Sequence, residues 1–215
     1  MLQLEAYRIC EIAREGFDPD GLAACAAHVD GLDRLSKERI GSELIKLLRA
    51  PDPSFAVAGL RQTGALSRIL PGADSTLFGQ FVAQIKPHDA IARLAFLGGQ
   101  DTGSALRLSK PQAKRLAQIL GEVGSQTPAY ELAYRYGAAD AHAMLAMRSV
   151  LIGPLKFNPD DLVSAASQVF PVSANDLMPN VSGLALGKAL RDLEARWIKS
   201  DFRLTREELL QGWFH

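Results

Sequence analysis

A 3.6-residue apolar period runs through nearly every segment of this chain, and no segment alternates apolar with polar. This feature constrains the fold most. A half-buried strand needs period two, whereas a helix face needs recurrence at three and four residues. The joins between periodic segments carry helix punctuation. "DPDGLAACAAHV" has Pro19 in its first turn and Gly31 just beyond its end. Ser36 precedes the stripe Ile40, Leu44, Leu47 and Leu48 and so predicts an N-cap. In "APDPSFAVAGLRQTG", Asp52 is placed to cap, Pro53 to take the first helical position and Gly64 to stop the helix. "ALSRILPG" reads as a short helix halted by Pro71. Ser109 with Gln112 and Thr205 with Glu208 read as capping boxes, and Thr127-Pro128 and Asn158-Pro159 as cap-plus-proline starts. "FAVAGL" and "SVLIG" suit strands when taken alone, but their helical neighbours make them helix. The expected fold is all-α, with about ten to twelve helices of ordinary length.

Seams fall at residues 70–75, 98–104 and 152–159, and none is a long flexible linker. Three packed helical sub-units are therefore expected, over residues 1–72, 73–153 and 154–215. At 215 residues, 47% hydrophobic and 22% charged, the chain has the balance of a folded soluble protein with a real core. Its 24 Lys and Arg match 24 Asp and Glu, so net charge names no partner and only the distribution of charge speaks to nucleic acid. Cys10 and Cys25 have neither metal-type spacing nor a disulfide framework, which fits a reducing compartment. No apolar run is long enough for a bilayer, and "MLQLEAYRICEIAREG" lacks the layout of a signal peptide. The expected location is the cytoplasm, with no membrane partner.

Catalytic and metal-binding signals are weak. His88-Asp89 is the kind of dipeptide that anchors one class of metal phosphohydrolase, but the spacing of His28 and Asp140 does not complete a ligand set. Asp89 also suits a helix start, where the dipole favours an acid. There is no G-x-S-x-G, and "LGGQDTGS" lacks both a preceding strand and a following Lys-Ser or Lys-Thr. Asp160-Asp161 and Glu207-Glu208 sit in first turns of helices, where the dipole explains them. No catalytic or metal residue is assigned.

Charge distribution says more. From Ser104 to Leu120 the chain has Arg107, Lys110, Lys114 and Arg115 and no acid. Lys110, Lys114 and, less directly, Arg107 share one side of a helix and its entry, with first-turn N–H groups expected to face outward beside Lys110. Two readings stand: a phosphate-binding face, or a solvated face balanced by acids from elsewhere in the fold. A second series, Lys188, Arg191, Arg196, Lys199, Arg203 and Arg206, is interleaved with acids, and Asp192–Arg196 is spaced for an intrahelical ion pair. The helix "LSKERIGSELIKLL" carries Ser36 as cap, Glu38 at the dipole and an Arg39–Glu43 pair. Its Gly41, which costs about 1 kcal/mol in a helix interior, asks for the close approach of a neighbour.

That same helix carries a resemblance. "LSKERIGSELIKLL" and the following "DPSFAVAGLRQTGALSRILPG" resemble the neck of bacterial-type CCA-adding tRNA nucleotidyltransferases and their poly(A) polymerase relatives. Ser36, Glu38, Arg39, Ile40, Glu43 and Leu44 match S-x-E-R-I-x-x-E-L. Leu60, Gly64, Leu66, Ile69, Leu70 and Pro71 match the segment that closes the next helical pair. "LRLSKPQAKRL" is similar to a body helix and "NDLMPNVSGLALGKALRDLEARWIKSDFRLTREELL" to the tail, so the likeness covers residues 17 to 211. Residues 1–16 match poorly: Glu5 and Arg8 echo the family's E-D-x-x-R, with Ala6 in place of its Asp. The only D-x-D is Asp18-Pro19-Asp20, ahead of a helix and not on a strand.

The resemblance implies the neck, body and tail that grip tRNA, without the metal-binding head. It implies tRNA as partner and Ser36, Glu38, Arg39 and Glu43 as a structural motif of the neck, while the charge distribution offers Arg107, Lys110, Lys114, Arg115, Lys188 and Arg191 as candidate RNA contacts. Mg²⁺ and ATP or CTP belong to the head, and none is expected to be held by these residues. Two-metal transfer needs carboxylates to hold its ions, so the chain alone is expected to be inactive, whether truncated or working with a separate head or a second copy of itself. The competing expectation is a non-catalytic scaffold or protein-interaction module of the same descent.

Overall fold

The computed structural model describes residues 18–85, 89–178 and 181–211. Among them the chain forms fourteen α-helices, one 3₁₀ helix and no strand, so the fold is all-α. The count exceeds twelve because several elements are four or five residues long, single turns at the joins. Packing divides the chain into two compact units, one from Met1–Gln126 with His142–Lys156, the other from Thr127–Ala141 with Phe157–His215.

The first unit contains α1 (Pro19–Ala27), the 3₁₀ helix Val29–Arg34, α2 (Lys37–Leu48), α3 (Ser54–Gln62), α4 (Ala65–Ile69), α5 (Phe78–Val82), α6 (Ala90–Leu97), α7 (Thr102–Ala105), α8 (Lys110–Val123) and most of α10 (Ala138–Leu151). Every residue of α6 is buried, because α2, α5 and α8 all pack on it. Leu44 and Leu48 of α2, Phe78 and Phe81 of α5 and Ile119 of α8 complete the aliphatic and aromatic core, with Phe81 stacked on Phe96 at 4.4 Å.

One fully buried residue of this core is charged. Arg93 of α6 donates to the carbonyl of Leu48 (2.8 Å), the last residue of α2, and to those of Ala50 (2.5 Å) and Pro51 (3.1 Å) just beyond it. Burial pushes its pKa down, while the charges of Asp52 and Asp89 pull it up.

The expected helix starts hold at Ser36, Ser109, Asn158 and Thr205. Two proline starts shift by one residue: Pro53 and Pro128 are themselves the N-caps of α3 and of α9 (Ala129–Tyr136). Asp52 still caps, accepting from the Ser54 amide at 2.9 Å. The first helix also stops earlier than Gly31, at Ala27, and the chain tightens into the 3₁₀ helix that contains Gly31. The seams at 70–75 and 98–104 are joined to each other. Asp74 N–H donates to Leu97 O at 2.9 Å, Gln100 N–H to Pro71 O at 2.8 Å, and Ala73 bridges Gly98. Gly98 and Gly99, at φ +68° and +109°, supply the backbone turn that this stitch requires.

The second unit contains α9, α11 (Pro159–Ala166), α12 (Ala174–Leu177), α13 (Gly183–Lys199) and α14 (Arg206–Leu210). Helix α9 packs on α11. The core gathers Val172, Leu177, Ala189, Leu193, Trp197, Ile198 and Leu209. Around Trp197 lie Phe202 (4.8 Å), Tyr134 (5.5 Å, edge-on) and Phe170 (5.6 Å), and Tyr130 meets Phe202 edge-on at 5.7 Å. The Tyr134 hydroxyl donates to Glu194 Oε1 at 2.7 Å. Burial, then that hydrogen bond and the carboxylate charge, push its pKa up to about 12.

Candidate nucleic-acid interface

Helix α2 shows what the neck motif does. Ser36 Oγ accepts from the Arg39 amide at 3.3 Å, and Glu38 stands in the first turn. Gly41 is buried, and a Cβ there falls 2.1 Å from the carbonyl oxygen of Leu106. The neighbour that requires glycine is thus the backbone leaving α7, and two of the segments that carry the resemblance meet at this point. The expected Arg39–Glu43 brace is corrected: Glu43 pairs with Lys46 at 2.6 Å, one turn on, and Arg39 is exposed with no ion pair among the described residues. Glu38 reaches Arg107 at 3.4 Å, but both side chains are mostly exposed, so solvent screens the pair.

The basic segment around α8 divides into two roles. Lys110 and Lys114 are exposed, one turn apart, and have no ion pair among the described residues. Arg107 is exposed at φ +49°, a conformation uncommon for a residue with a Cβ. Arg115 points elsewhere: its guanidinium forms a two-pronged pair with Asp89, the N-cap of α6, which also accepts from the amides of Ile91 and Ala92 at 3.1 Å. Of the expected spare N–H groups at the start of α8, that of Lys110 is left without a partner among the described residues. The capping box engages the amides of Ser109 and Gln112, and Pro111 has none, so the lysine side chains supply the positive charge of this end.

On α13, Lys188 and Arg191 are exposed and without an ion pair among the described residues. The rest of that series is largely engaged, though not as expected. The structure shows no Asp192–Arg196 pair; Arg196 reaches the Leu209 carbonyl at 3.5 Å. Glu194 accepts from Tyr134, Arg203 pairs with Asp201 at 3.6 Å, and Arg206 pairs with Asp176 at 2.5 Å.

The other candidates resolve into structure. Asp18 is the N-cap of α1, accepting from the Gly21 amide at 2.9 Å. Asp160, Asp161, Glu207 and Glu208 stand in first turns, Glu208 within a capping box. His88 lies outside the described residues. Among the described residues no three His, Cys, Asp or Glu side chains gather as a metal-holding group, and no helix is long and apolar enough to cross a membrane.

Two buried arginines escape sequence reasoning. A lone Arg in the apolar run "AIARLAFLGG" was the available signal for Arg93. Arg148 gives none; it donates to Glu122 O (2.7 Å) and Ser125 Oγ (2.7 Å) at the end of α8. Also missed is a cleft of about 410 Å³ between α2 and the Leu106–Gln112 stretch.

Comparison with known proteins places this architecture. A model of the family described as "Probable RNA and SrmB- binding site of polymerase A" matches residues 16–77, which hold α1, α2, α3 and α4. The Multifunctional CCA protein of Aromatoleum aromaticum is 34% identical over 164 residues, covering 71% of this chain and 40% of the relative. These matches and the fold define an all-α RNA-binding portion. The chain belongs to the CCA-adding/poly(A) polymerase family, and it spans about 40% of the length of that curated relative.

Proposed function

We propose that this chain is the tRNA-binding neck (1–72), body (73–153) and tail (154–215) of a CCA-adding tRNA nucleotidyltransferase acting in the cytoplasm. It grips the acceptor stem and T-arm through shape and phosphate contacts, as duplex RNA demands. The carrying observation is Lys110 and Lys114 at the start of α8: exposed, one turn apart and unanswered by any acid among the described residues. Burying charge against an internal partner is the usual alternative, and Arg115 beside them takes it. Lys188 and Arg191 offer a second basic surface on α13. Nucleotidyl transfer is assigned to a head domain that supplies carboxylates for Mg²⁺ and a site for ATP or CTP.

Binding of tRNA measured at rising salt tests this reading. Affinity should fall with ionic strength, and Lys110→Glu with Lys114→Glu should weaken it ~10-fold or more. Absent binding at low salt, or binding indifferent to salt, overturns it. Incorporation of labelled ATP or CTP into tRNA by the chain alone contradicts the assignment of the chemistry to a head.

A protein-interaction module is the second reading. It is favoured by Leu151, Ile152 and Leu155, which are 50%, 73% and 44% exposed in one short segment of the first unit. The same salt titration separates the two.

A further inference from the structure

Helix α2 has a face that neither its cap nor its core contacts use. Ser42, Lys46 and Arg49 recur at three and four residues, so they stand on one side of the helix. They line the 410 Å³ cleft whose far wall carries Arg107 and Gln112, a size within the range of ligand clefts. Among the described residues three cations line it, and Glu38 is the only acid that does.

The donors in this cleft are under-used. Arg49 is exposed and has no ion pair among the described residues. Nor is it needed to finish α2, because Arg93 already answers the carbonyls of Leu48, Ala50 and Pro51. Lys46 is shared with Glu43, and Arg107 is held only at 3.4 Å by exposed Glu38. Gln112 accepts the Ser109 amide and hydroxyl through Oε1, which leaves its amide N–H pair without a partner among the described residues. The Ser42 hydroxyl has none there either.

Backbone strain is a separate observation at the same place. Arg107 sits at φ +49°, and the preceding carbonyl, Leu106 O, occupies the space that a Gly41 Cβ would fill. Strain of this kind persists where surrounding structure over-determines it, and it concentrates at binding sites. Here it holds a guanidinium over a cleft already lined by Arg49.

We infer that this cleft binds a phosphate of an RNA backbone, clasped by Arg49 and Arg107, with Ser42 and the Gln112 amide as hydrogen-bond donors. Arginine suits this role because its planar fork pairs with two phosphate oxygens at once. The inference rests on the RNA-binding reading and adds to it a contact on the family's signature helix. The basic start of α8 follows directly, since Lys110 is two residues before Gln112.

The test uses tRNA binding across salt with Arg49→Glu and, separately, Arg107→Gly. Glycine adopts φ +49° freely, so this second variant should melt no lower than the parent while losing the guanidinium. Each variant should weaken tRNA binding ~10-fold and reduce the salt slope by about one phosphate contact. A parent chain that binds tRNA while both variants bind equally well overturns the cleft and leaves the RNA reading intact. A parent chain that does not bind tRNA removes both. Inorganic pyrophosphate is the second probe, followed by amide NMR shifts at Ser42 and Gln112. Shifts with pyrophosphate and none with tRNA assign the cleft to a small free anion and overturn the backbone assignment.

Discussion

The two units build their interiors from different material. The first surrounds α6 with aliphatic side chains and the rings of Phe78 and Phe81, brings backbone against backbone at Gly41 and Leu106, and buries Arg93 to finish a neighbouring helix. The second gathers aromatic rings around Trp197 and ties Tyr134 to Glu194. Their charges differ in the same sense. In the second unit Arg203, Arg206 and Glu194 all have partners, and Lys188 and Arg191 are the cations of α13's exposed first half. In the first, Arg49, Lys110 and Lys114 are exposed with no ion pair among the described residues, while Arg93, Arg115 and Arg148 serve helix ends. Cations spent on structure and cations left over are thus distinguishable residue by residue, and the left-over ones mark the proposed surface.

Breaking each interior at its centre gives the largest expected effects. Arg93→Met should cost about 4 kcal/mol, because three helix-end carbonyls lose a charged donor in a dry site. Arg93→Lys should recover only part, since one ammonium does not fork across three acceptors. Trp197→Ala should cost about 3–5 kcal/mol through lost burial and the cavity left among three rings. Denaturant unfolding followed by circular dichroism measures both; a loss under 1 kcal/mol for either would show that its unit's interior is not organised around that residue.

Close approach sharpens the comparison next. Helix propensity alone makes Gly41→Ala stabilising by about 1 kcal/mol, but the clash with the Leu106 backbone should reverse the sign and leave a net loss of about 2 kcal/mol. Gly121 of α8 is the control. A Cβ there meets nothing within 4 Å, so Gly121→Ala should stabilise by ~0.5–1 kcal/mol. Equal behaviour of the two variants in thermal unfolding contradicts the packing account.

A smaller effect distinguishes the units by pH. Tyr134 has a folded pKa raised from 10.0 to about 12, so its contribution is complete below pH 10 and is lost as pH rises from 10 toward 12. Tyr134→Phe should remove this alkaline transition and cost about 1 kcal/mol at neutral pH. Acid sensitivity is shared. Arg206 first, then the Ser173 backbone and side chain, hold Asp176 well below the carboxylate range, and in the first unit the hydrogen bond from Arg68 lowers the pKa of Asp33. Both contributions are present above the ordinary carboxyl pKa and fade as pH falls below about 4. The smallest change belongs to Glu38→Gln, where an exposed pair with Arg107 should be worth less than about 0.5 kcal/mol.

Local chemistry was legible wherever the chain carries it in adjacent residues. Ser36, Ser109, Asn158 and Thr205 announce helix starts because a cap bonds within its own first turn. Gly41 announced a close approach, though not its partner, because nothing in one helix says which backbone will meet it. Pairings across the fold were out of reach. Asp89 reads as a cap in sequence, but its Arg115 partner is 26 residues away. Arg39–Glu43 and Asp192–Arg196 had helical spacing, and the acids nevertheless turned to Lys46 or stayed exposed, since an exposed i,i+4 pair is too weak to dictate a rotamer. The cleft was hidden for the same reason: its walls come from residues 38–49 and 106–112, brought together by packing alone.

The central claim is that basic side chains without internal partners in the first unit contact RNA phosphates. Its most direct measurement is the slope of log affinity for tRNA against log salt, for the parent chain and for the chain carrying Lys110→Glu and Lys114→Glu. The account predicts a steep parental slope, shallower by about two phosphate contacts in the variant. An identical slope in the two proteins would contradict it.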